Sequence, residues 1–234
     1  MKSDPIIELQ HVEKHYQMGP TVVKALNGVN LQIFSGDYIS ILGPSGGGKS
    51  TLLNVLGCLD SPSTGKYLLE GNDISNLDDD HLSIVRGKRL GFIFQSYNLI
   101  PQYSVLENIQ VPMYYQGVSD SESQSVAEHL AEKVGLGKRL DHKPTELSGG
   151  QQQRVAIARS LANNPAVILA DEATGNLDSK SGGDILELFD KLNDEGKTLI
   201  MITHDESMAD RTSRVIRLKD GEIILDERKQ ASRV

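Results

Sequence analysis

The chain has 234 residues, enough for one sizeable core or a core with a subdomain, and its 38% hydrophobic and 24% charged content fits a soluble globular protein. No apolar run approaches the ~18 residues of a membrane span, and Met1-Lys2-Ser3-Asp4-Pro5 lacks the apolar core of a signal peptide. The net charge of −8 argues against nucleic acid as the main partner, and the single cysteine, Cys58, excludes an internal disulfide and suits a reducing compartment.

Residues 6–12, 22–26 and 29–33 read as short strands, the last by strict apolar–polar alternation. They predict an amino-terminal sheet of antiparallel character. Tyr16 falls between the first two strands, where composition alone makes it an ordinary loop aromatic. Ser35-Gly36-Asp37 turns into the apolar run 38–42. Gly43-Pro44-Ser45-Gly46-Gly47-Gly48-Lys49-Ser50-Thr51 follows, and Leu52-Leu53-Asn54-Val55-Leu56 continues as a helix that is expected to include Cys58 as a small buried hydrophobe. Strand, glycine-rich loop and helix in this order match the phosphate-binding pattern G-x-x-x-x-G-K-[ST]. Glycines let successive backbone N–H groups converge on an anion, and the helix adds its positive dipole end. Lys49 is placed to reach the outer phosphates, and the Ser50 hydroxyl to ligate Mg²⁺. A plain turn needs neither four glycines nor Lys and two hydroxyls in sequence.

Asp60 to Gly65 is a turn, and residues 66–74 form a short strand and hairpin region. A polar helical piece from Asp78 to Arg89 leads to a short β-prone run, 90–94, that ends at Gln95. Residues 96–145 carry no strand of parallel-sheet type, so 96–158 is read as a mostly helical insertion. Leu147-Ser148-Gly149-Gly150-Gln151 opens a helix reaching about Asn163, with Ser148 and Gln151 spaced as a capping box. Two glycines early in a helix cost about 1 kcal/mol each relative to alanine. Capping alone requires only the serine; a second anion site would also account for the glycines. Residues 166–170 are continuously apolar, as in a strand buried on both faces, and end in Asp171-Glu172. In a P-loop protein an acid there faces the nucleotide crevice: Asp171 suits a Mg²⁺ or Mg²⁺-water contact, and Glu172 can activate water. A helix over 182–192 and a second buried strand over 198–203 lead to His204, either structural or a contact to the terminal phosphate. Residues 214–218 and 222–225 close the chain as a hairpin around Asp220-Gly221, and the last nine residues read as a frayed charged tail.

Taken together, these residues resemble the nucleotide-binding subunit of an ATP-binding cassette (ABC) transporter over nearly the whole chain. The run 147–151 shortly before 167–172 is specific to that family. The resemblance implies that Tyr16 stacks on adenine and that Gln95 links Mg²⁺ and the attacking water to the membrane partner. It further implies that Ser148, Gly149 and Gly150, opened by the Gln151 box, bind the γ-phosphate held by a second subunit. Glu172 matches the general base, Asp178 the loop crossing the dimer interface, and His204 the switch histidine. Residues 57–60, 91–95, 98–101 and 175–179 are most similar to the lipoprotein-release and macrolide-export branch (LolD-like and MacB-like), with the cell-division ATPase FtsE close by.

Two positions depart from the family pattern. Gly47 stands where serine is common, which should loosen the loop, and Ala173 stands where proline is common, which removes a rigid φ beside Glu172. The expectation is an α/β P-loop NTPase with an amino-terminal antiparallel β-subdomain and a helical subdomain. Residues 1–95 and 159–234 would form the nucleotide-binding core and 96–158 the helical subdomain with the signature. The expected activity is hydrolysis of ATP with Mg²⁺ to power a separate integral-membrane permease. The subunit would act as a homodimer with ATP at its interface, without nucleic acid, in the cytoplasm on the inner face of the membrane. A regulatory ATPase that signals through a membrane partner without transport is the rival. A chromosome-organising ABC ATPase would need a long coiled coil between Thr51 and Val167, and no sustained heptads occur there.

Overall fold

The computed structural model describes residues 4–229. Residues 1–3 of the amino-terminal run and 230–234 of the charged tail lie outside the described residues, and the expectation for those positions lies there with them. In chain order the elements are β1 (Ile7–Met18), β2 (Thr21–Ile33), β3 (Tyr38–Leu42), α1 (Lys49–Leu56), β4 (Thr64–Leu69), β5 (Asn72–Asp73), α2 (Asp79–Arg89), β6 (Leu90–Phe94), α3 (Val105–Tyr115), α4 (Asp120–Lys133), α5 (Gly149–Leu161), β7 (Val167–Asp171), α6 (Ser179–Asp194), β8 (Thr198–Ile202), α7 (Met208–Arg211), β9 (Arg214–Lys219) and β10 (Glu222–Arg228). They divide into two compact units, one from Val85 to Glu195 and the other made by the chain on either side of it.

In the flanking unit, β1 and β2 form one long antiparallel hairpin rather than three short strands, and β4 and β5 extend it in the order β2-β1-β4-β5. The apolar pattern fades after Val12 because the distal half of the hairpin is largely exposed, yet the backbone ladder continues there without a core to face. Register shifts near Val12 and Lys14 absorb the change. Tyr16 is therefore a strand residue, paired with Val23, and not in a loop. The other strands of this unit run in the order β10-β9-β3-β8: β3 is parallel to β8 and β9, and β9 is antiparallel to β10. Every residue of β3 and β8 is buried, as their unbroken apolar runs require.

Helix α1 buries Leu52, Leu53, Val55 and Leu56 and stops at Gly57. Cys58 is buried but lies beyond the helix, in the left-handed region at φ 54°. The chain reverses there, and the N–H groups of Leu59 and Asp60 both return to the Asn54 carbonyl, at 2.8 and 3.1 Å. A buried ion network closes the unit. Arg214, only 5% exposed, donates to Asp226 at 2.6 and 2.7 Å and to the Gln32 carbonyl at 2.6 Å, while Arg228 donates to Asp37 at 2.9 and 3.0 Å. Arg228 and Asp226 are part-exposed, so the costly change is loss of the buried Arg214 or Asp37, at about 3–5 kcal/mol.

In the unit from Val85 to Glu195, β6 and β7 are parallel, in register from Leu90↔Val167 to Phe94↔Asp171. Helix α5 packs on β6 and against α3, α4 and α6. A Cβ on Gly91 would sit 2.5 Å from the Ser160 carbonyl oxygen, so helix and strand approach as closely as they do only with glycine there. Asn108 of α3 is fully buried. Its amide donates to the carbonyls of Ile100, Tyr103 and Ser104 and accepts from the Ile100 N–H at 2.8 Å, which folds residues 100–104 over the start of α3.

Candidate functional site

The glycine-rich loop links the buried strand β3 to α1, as its sequence requires. Helix α1 starts at Gly48, φ 99°, with no side-chain cap, so the N–H groups of its first turn receive no acceptor from a capping residue. Lys49 Nζ donates to the carbonyls of Gly43 and Pro44, each at 2.8 Å, which anchors the ammonium over the loop and leaves one of its three donors for an anion. The backing of the loop was not legible in its own residues. A Cβ on Gly43 would lie 2.0 Å from the Leu218 carbonyl oxygen, and one on Gly48 would lie 2.6 Å from that of Ala25. Gly221, in the turn of the last hairpin, donates to the Gly47 carbonyl at 3.1 Å and accepts from Asn27 N–H at 2.9 Å. Gly47 is buried, and its own N–H donates to the Pro44 carbonyl at 3.1 Å, so this glycine is tied at both backbone groups where looseness was expected.

Tyr16 lies half-buried on β1, its hydroxyl 2.8 Å from Asp60 Oδ2. Burial and that neighbouring carboxylate both push the phenol above its ordinary pKa. His204 lies two residues beyond the end of β8 and is exposed.

The second group of predicted residues stands in the other unit. Gln95 follows β6 and exchanges two hydrogen bonds with Asn176: its amide donates to Asn176 Oδ1 at 3.2 Å and its carbonyl accepts from Asn176 Nδ2 at 3.0 Å. A Cβ on Gly175 would come within 2.8 Å of the Gln95 amide nitrogen. Tyr97 and Asn98 are consecutive left-handed residues, φ 60° and 49°. The Arg159 guanidinium of α5 holds them by donating to their carbonyls at 2.8 and 2.7 Å. Ser148 caps α5 in a complete box: its Oγ accepts from Gln151 N–H at 3.4 Å, and Gln151 Oε1 accepts from Ser148 N–H at 3.0 Å. Added Cβ atoms would stand 2.9 Å from the Tyr97 hydroxyl at Gly149 and 3.1 Å from Ser181 Cβ at Gly150.

Asp171 ends β7, half-buried, and Glu172 follows in the left-handed region at φ 46°. Left-handed backbone is rare for a glutamate and is a form of strain that concentrates at functional positions. The residue before a proline is restricted in its backbone, so Ala173 leaves Glu172 a freedom that the more common proline would limit. Asp178 is the N-cap of α6, accepting from the N–H groups of Lys180 and Ser181 and from the Ser181 hydroxyl. The bonds from Ser181 hold its carboxyl below the usual range.

Sequence reasoning missed a groove of about 330 Å³ on α3 and α4, lined by aromatic and aliphatic residues such as Tyr114 and Val111 and by the polar Glu107, Gln110 and Asp120. Tyr114 and Tyr115 are 74% and 80% exposed, while Leu99 and Ile100 are half-buried. The two tyrosines end α3, and nothing in the sequence around them marks which face of that helix is exposed. Among the described residues no cluster of three or more His, Cys, Asp or Glu could hold a metal. The Ser50 hydroxyl at the start of α1 is an oxygen donor of the kind suited to a Mg²⁺ that arrives bound to phosphate and water.

A family model described as ABC transporter matches residues 26–175. An uncharacterized ABC transporter ATP-binding protein of Thermotoga maritima is 54% identical over 218 residues, covering 93% of each chain. The macrolide export ATP-binding/permease protein MacB of Bdellovibrio bacteriovorus is 51% identical over 226 residues, 97% of this chain but 34% of that protein, so the chain spans about a third of such relatives. Among solved structures, the post-hydrolysis dimer of the ATP-binding cassette MJ0796 bound to ADP and Pi superposes with a TM-score of 0.87 at 45% identity, covering 96% of this chain and 99% of that one.

Proposed function

Because the chain belongs to the ABC transporter family, as an ATP-hydrolysing cassette, we propose that it powers a separate membrane permease of the lipoprotein-release, macrolide or peptide export type. It does so by closing as a head-to-tail homodimer over two ATP molecules. The observation that carries this reading is the pair of glycine-lined helix starts, one uncapped at Gly48 and one at Ser148, on a chain 45% identical to a cassette described as dimeric with ADP and Pi. Two copies related by a twofold axis let each Ser148–Gly150 segment meet the nucleotide held by the partner's P-loop.

Tyr16 stacks on the adenine, the N–H groups of 43–51 cradle the phosphates, and Lys49 neutralises the outer two. Ser50, Gln95 and Asp171 are the residues that would hold Mg²⁺, which would supply charge neutralisation to the phosphates. Glu172 orients a water and takes its proton as the water oxygen bonds to the γ-phosphorus. The bond to the bridging oxygen breaks and releases ADP and phosphate. His204 contacts the γ-phosphate, and Asp178 lies on the loop that faces the other subunit. Residues 96–158 act as the helical subdomain, and the groove beside Tyr114 and Tyr115 receives the permease. Apolar surface of this kind on a charged chain fits a protein partner. The permease holds the subunit at the cytoplasmic face of the membrane; among the described residues no helix is long and apolar enough to span one.

Sedimentation of the Glu172→Gln protein tests the proposal. Turnover should fall by about a hundredfold or more, and the ATP-bound dimer should accumulate. Ser148→Arg placed in the same background should bind ATP and remain monomeric. A Glu172→Gln protein that stays monomeric at saturating ATP, or a Ser148→Arg protein that dimerises as well as its parent, defeats the dimer reading.

A further inference from the structure

Tyr16 is not a free aromatic on a hairpin. Its hydroxyl donates to Asp60 Oδ2 at 2.8 Å. The other oxygen of the same carboxylate accepts from Lys14 Nζ and from Ser61 N–H at 2.9 Å. Lys14 also donates to the Ser61 carbonyl at 2.8 Å, and its ammonium stands 5.2 Å from the centroid of the Tyr16 ring. Asp60 itself is fixed, because its N–H is bonded to Asn54 of α1. A side chain that follows the P-loop helix thus reaches back to β1 and holds the aromatic ring at both its tip and one face. Lys14 is 13% exposed and Asp60 29%, so this triad is partly shielded from water, where a charge-assisted hydrogen bond is worth more than at a fully wet surface. Val23, opposite Tyr16 in the ladder and 40% exposed, extends the apolar surface beside the ring.

We propose that Asp60 and Lys14 clamp Tyr16 in the plane on which the nucleobase stacks, with Asp60 a positioning residue for base binding and Lys14 covering the ring face opposite the base. The proposal rests on the reading of Tyr16 as the base-stacking residue. A ring held in advance loses less rotational freedom on binding, so the clamp strengthens nucleoside binding without touching the nucleotide. The attraction between the Lys14 ammonium and the ring face adds a second restraint on the orientation of the ring. Inorganic tripolyphosphate, which has no base, is blind to the clamp.

The test measures dissociation constants of ATP and of tripolyphosphate for the full chain and its variants. Tyr16→Ala should weaken ATP on the order of tenfold and leave tripolyphosphate unchanged. Asp60→Ala and Tyr16→Phe should each weaken ATP by roughly threefold to tenfold. Combining these two should cost less than the sum of the single effects, because both remove the Tyr16–Asp60 bond while Asp60→Ala also releases Lys14. Asp60→Asn, which keeps an acceptor for the Tyr16 hydroxyl, should recover most of the affinity. The clamp is overturned if Asp60→Ala binds ATP as the parent does while Tyr16→Ala does not, or if Asp60→Ala weakens tripolyphosphate equally, which would mean a general distortion of the P-loop. If Tyr16→Ala itself leaves ATP binding unchanged, the stacking reading fails, and the clamp falls with it.

Discussion

Helices α1 and α5 both open in glycines, but for opposite reasons. At α1 the glycines are imposed from outside the loop: Leu218 and Ala25 present carbonyl oxygens 2.0 and 2.6 Å from where Cβ atoms would stand at Gly43 and Gly48. The helix start itself has no side-chain cap. At α5 the start is completed within four residues by Ser148 and Gln151, and the nearest atoms to added Cβ groups belong to side chains, Tyr97 and Ser181. An uncapped helix end braced by rigid backbone is suited to holding an anion permanently aimed at it. A self-capped end with small residues is stable without a ligand and leaves room for another surface to approach. Similar composition thus gives an uncapped, backbone-braced helix end in one unit and a self-capped one in the other.

The largest way to break the contrast is Lys49→Ala. It removes the anchored ammonium of the uncapped end, and ATP affinity should fall on the order of a hundredfold in calorimetry; an unchanged constant would show that the α1 end does not carry phosphate binding. Next comes a pair of glycine substitutions. Gly43→Ala must displace backbone and should lower unfolding stability by about 1–3 kcal/mol. Gly149→Ala meets side-chain ends, those of Tyr97 and Leu177, and gains helix propensity, so it should change stability by less than about 1 kcal/mol. Equal losses in denaturant titrations would erase the distinction drawn here. Ser148→Ala should cost less than Gly43→Ala at its upper end, about 1 kcal/mol, because it removes only a local cap. The same loss is expected for Ser104→Ala, which breaks the matching capping box of α3. A much larger stability cost at Ser148 alone would mean that tertiary contacts, not the cap, finish α5.

The smallest effect concerns Asp178, the cap of α6, whose carboxyl is held below its ordinary pKa by bonds from Ser181. Its stabilisation is present above the unfolded carboxyl pKa of about 3.9 and is lost as pH falls through the lower folded value. Asp178→Asn can still cap but does not titrate. The melting difference between the two proteins should therefore be constant near neutrality and shrink in acid. A difference that persists at the acid end would show that the carboxylate's charge is not what holds this cap.

How far the site could be read from sequence varied with how local its causes are. The Ser148–Gln151 box was legible because both partners lie within one helical turn. Gly43 to Thr51 was legible because strand, loop and helix are contiguous. Tyr16 was misplaced into a loop because the distal hairpin is held by backbone pairing on an exposed face, where side-chain pattern carries little signal. Cys58 was placed in a helix because its apolar character continues past Gly57, although the chain has already reversed. The Gln95–Asn176 exchange joins residues 81 positions apart, and no periodicity encodes such a contact.

By itself the sequence determined the elements whose residues satisfy one another nearby: the buried runs that became β3, β7 and β8, the glycine loop, the capped helices and the closing hairpin. Hydrophobic period, caps and turn chemistry act over a few residues, so they are written in a few residues. Only the tertiary structure decided why particular glycines admit no side chain, that the last hairpin braces the P-loop through Leu218 and Gly221, and that Asp60 and Lys14 hold Tyr16. It also decided that the tyrosines of α3 face outward beside a groove. Those outcomes depend on which distant backbone arrives at each position, and steric exclusion or a hydrogen bond between distant segments exists only once the chain has folded them together.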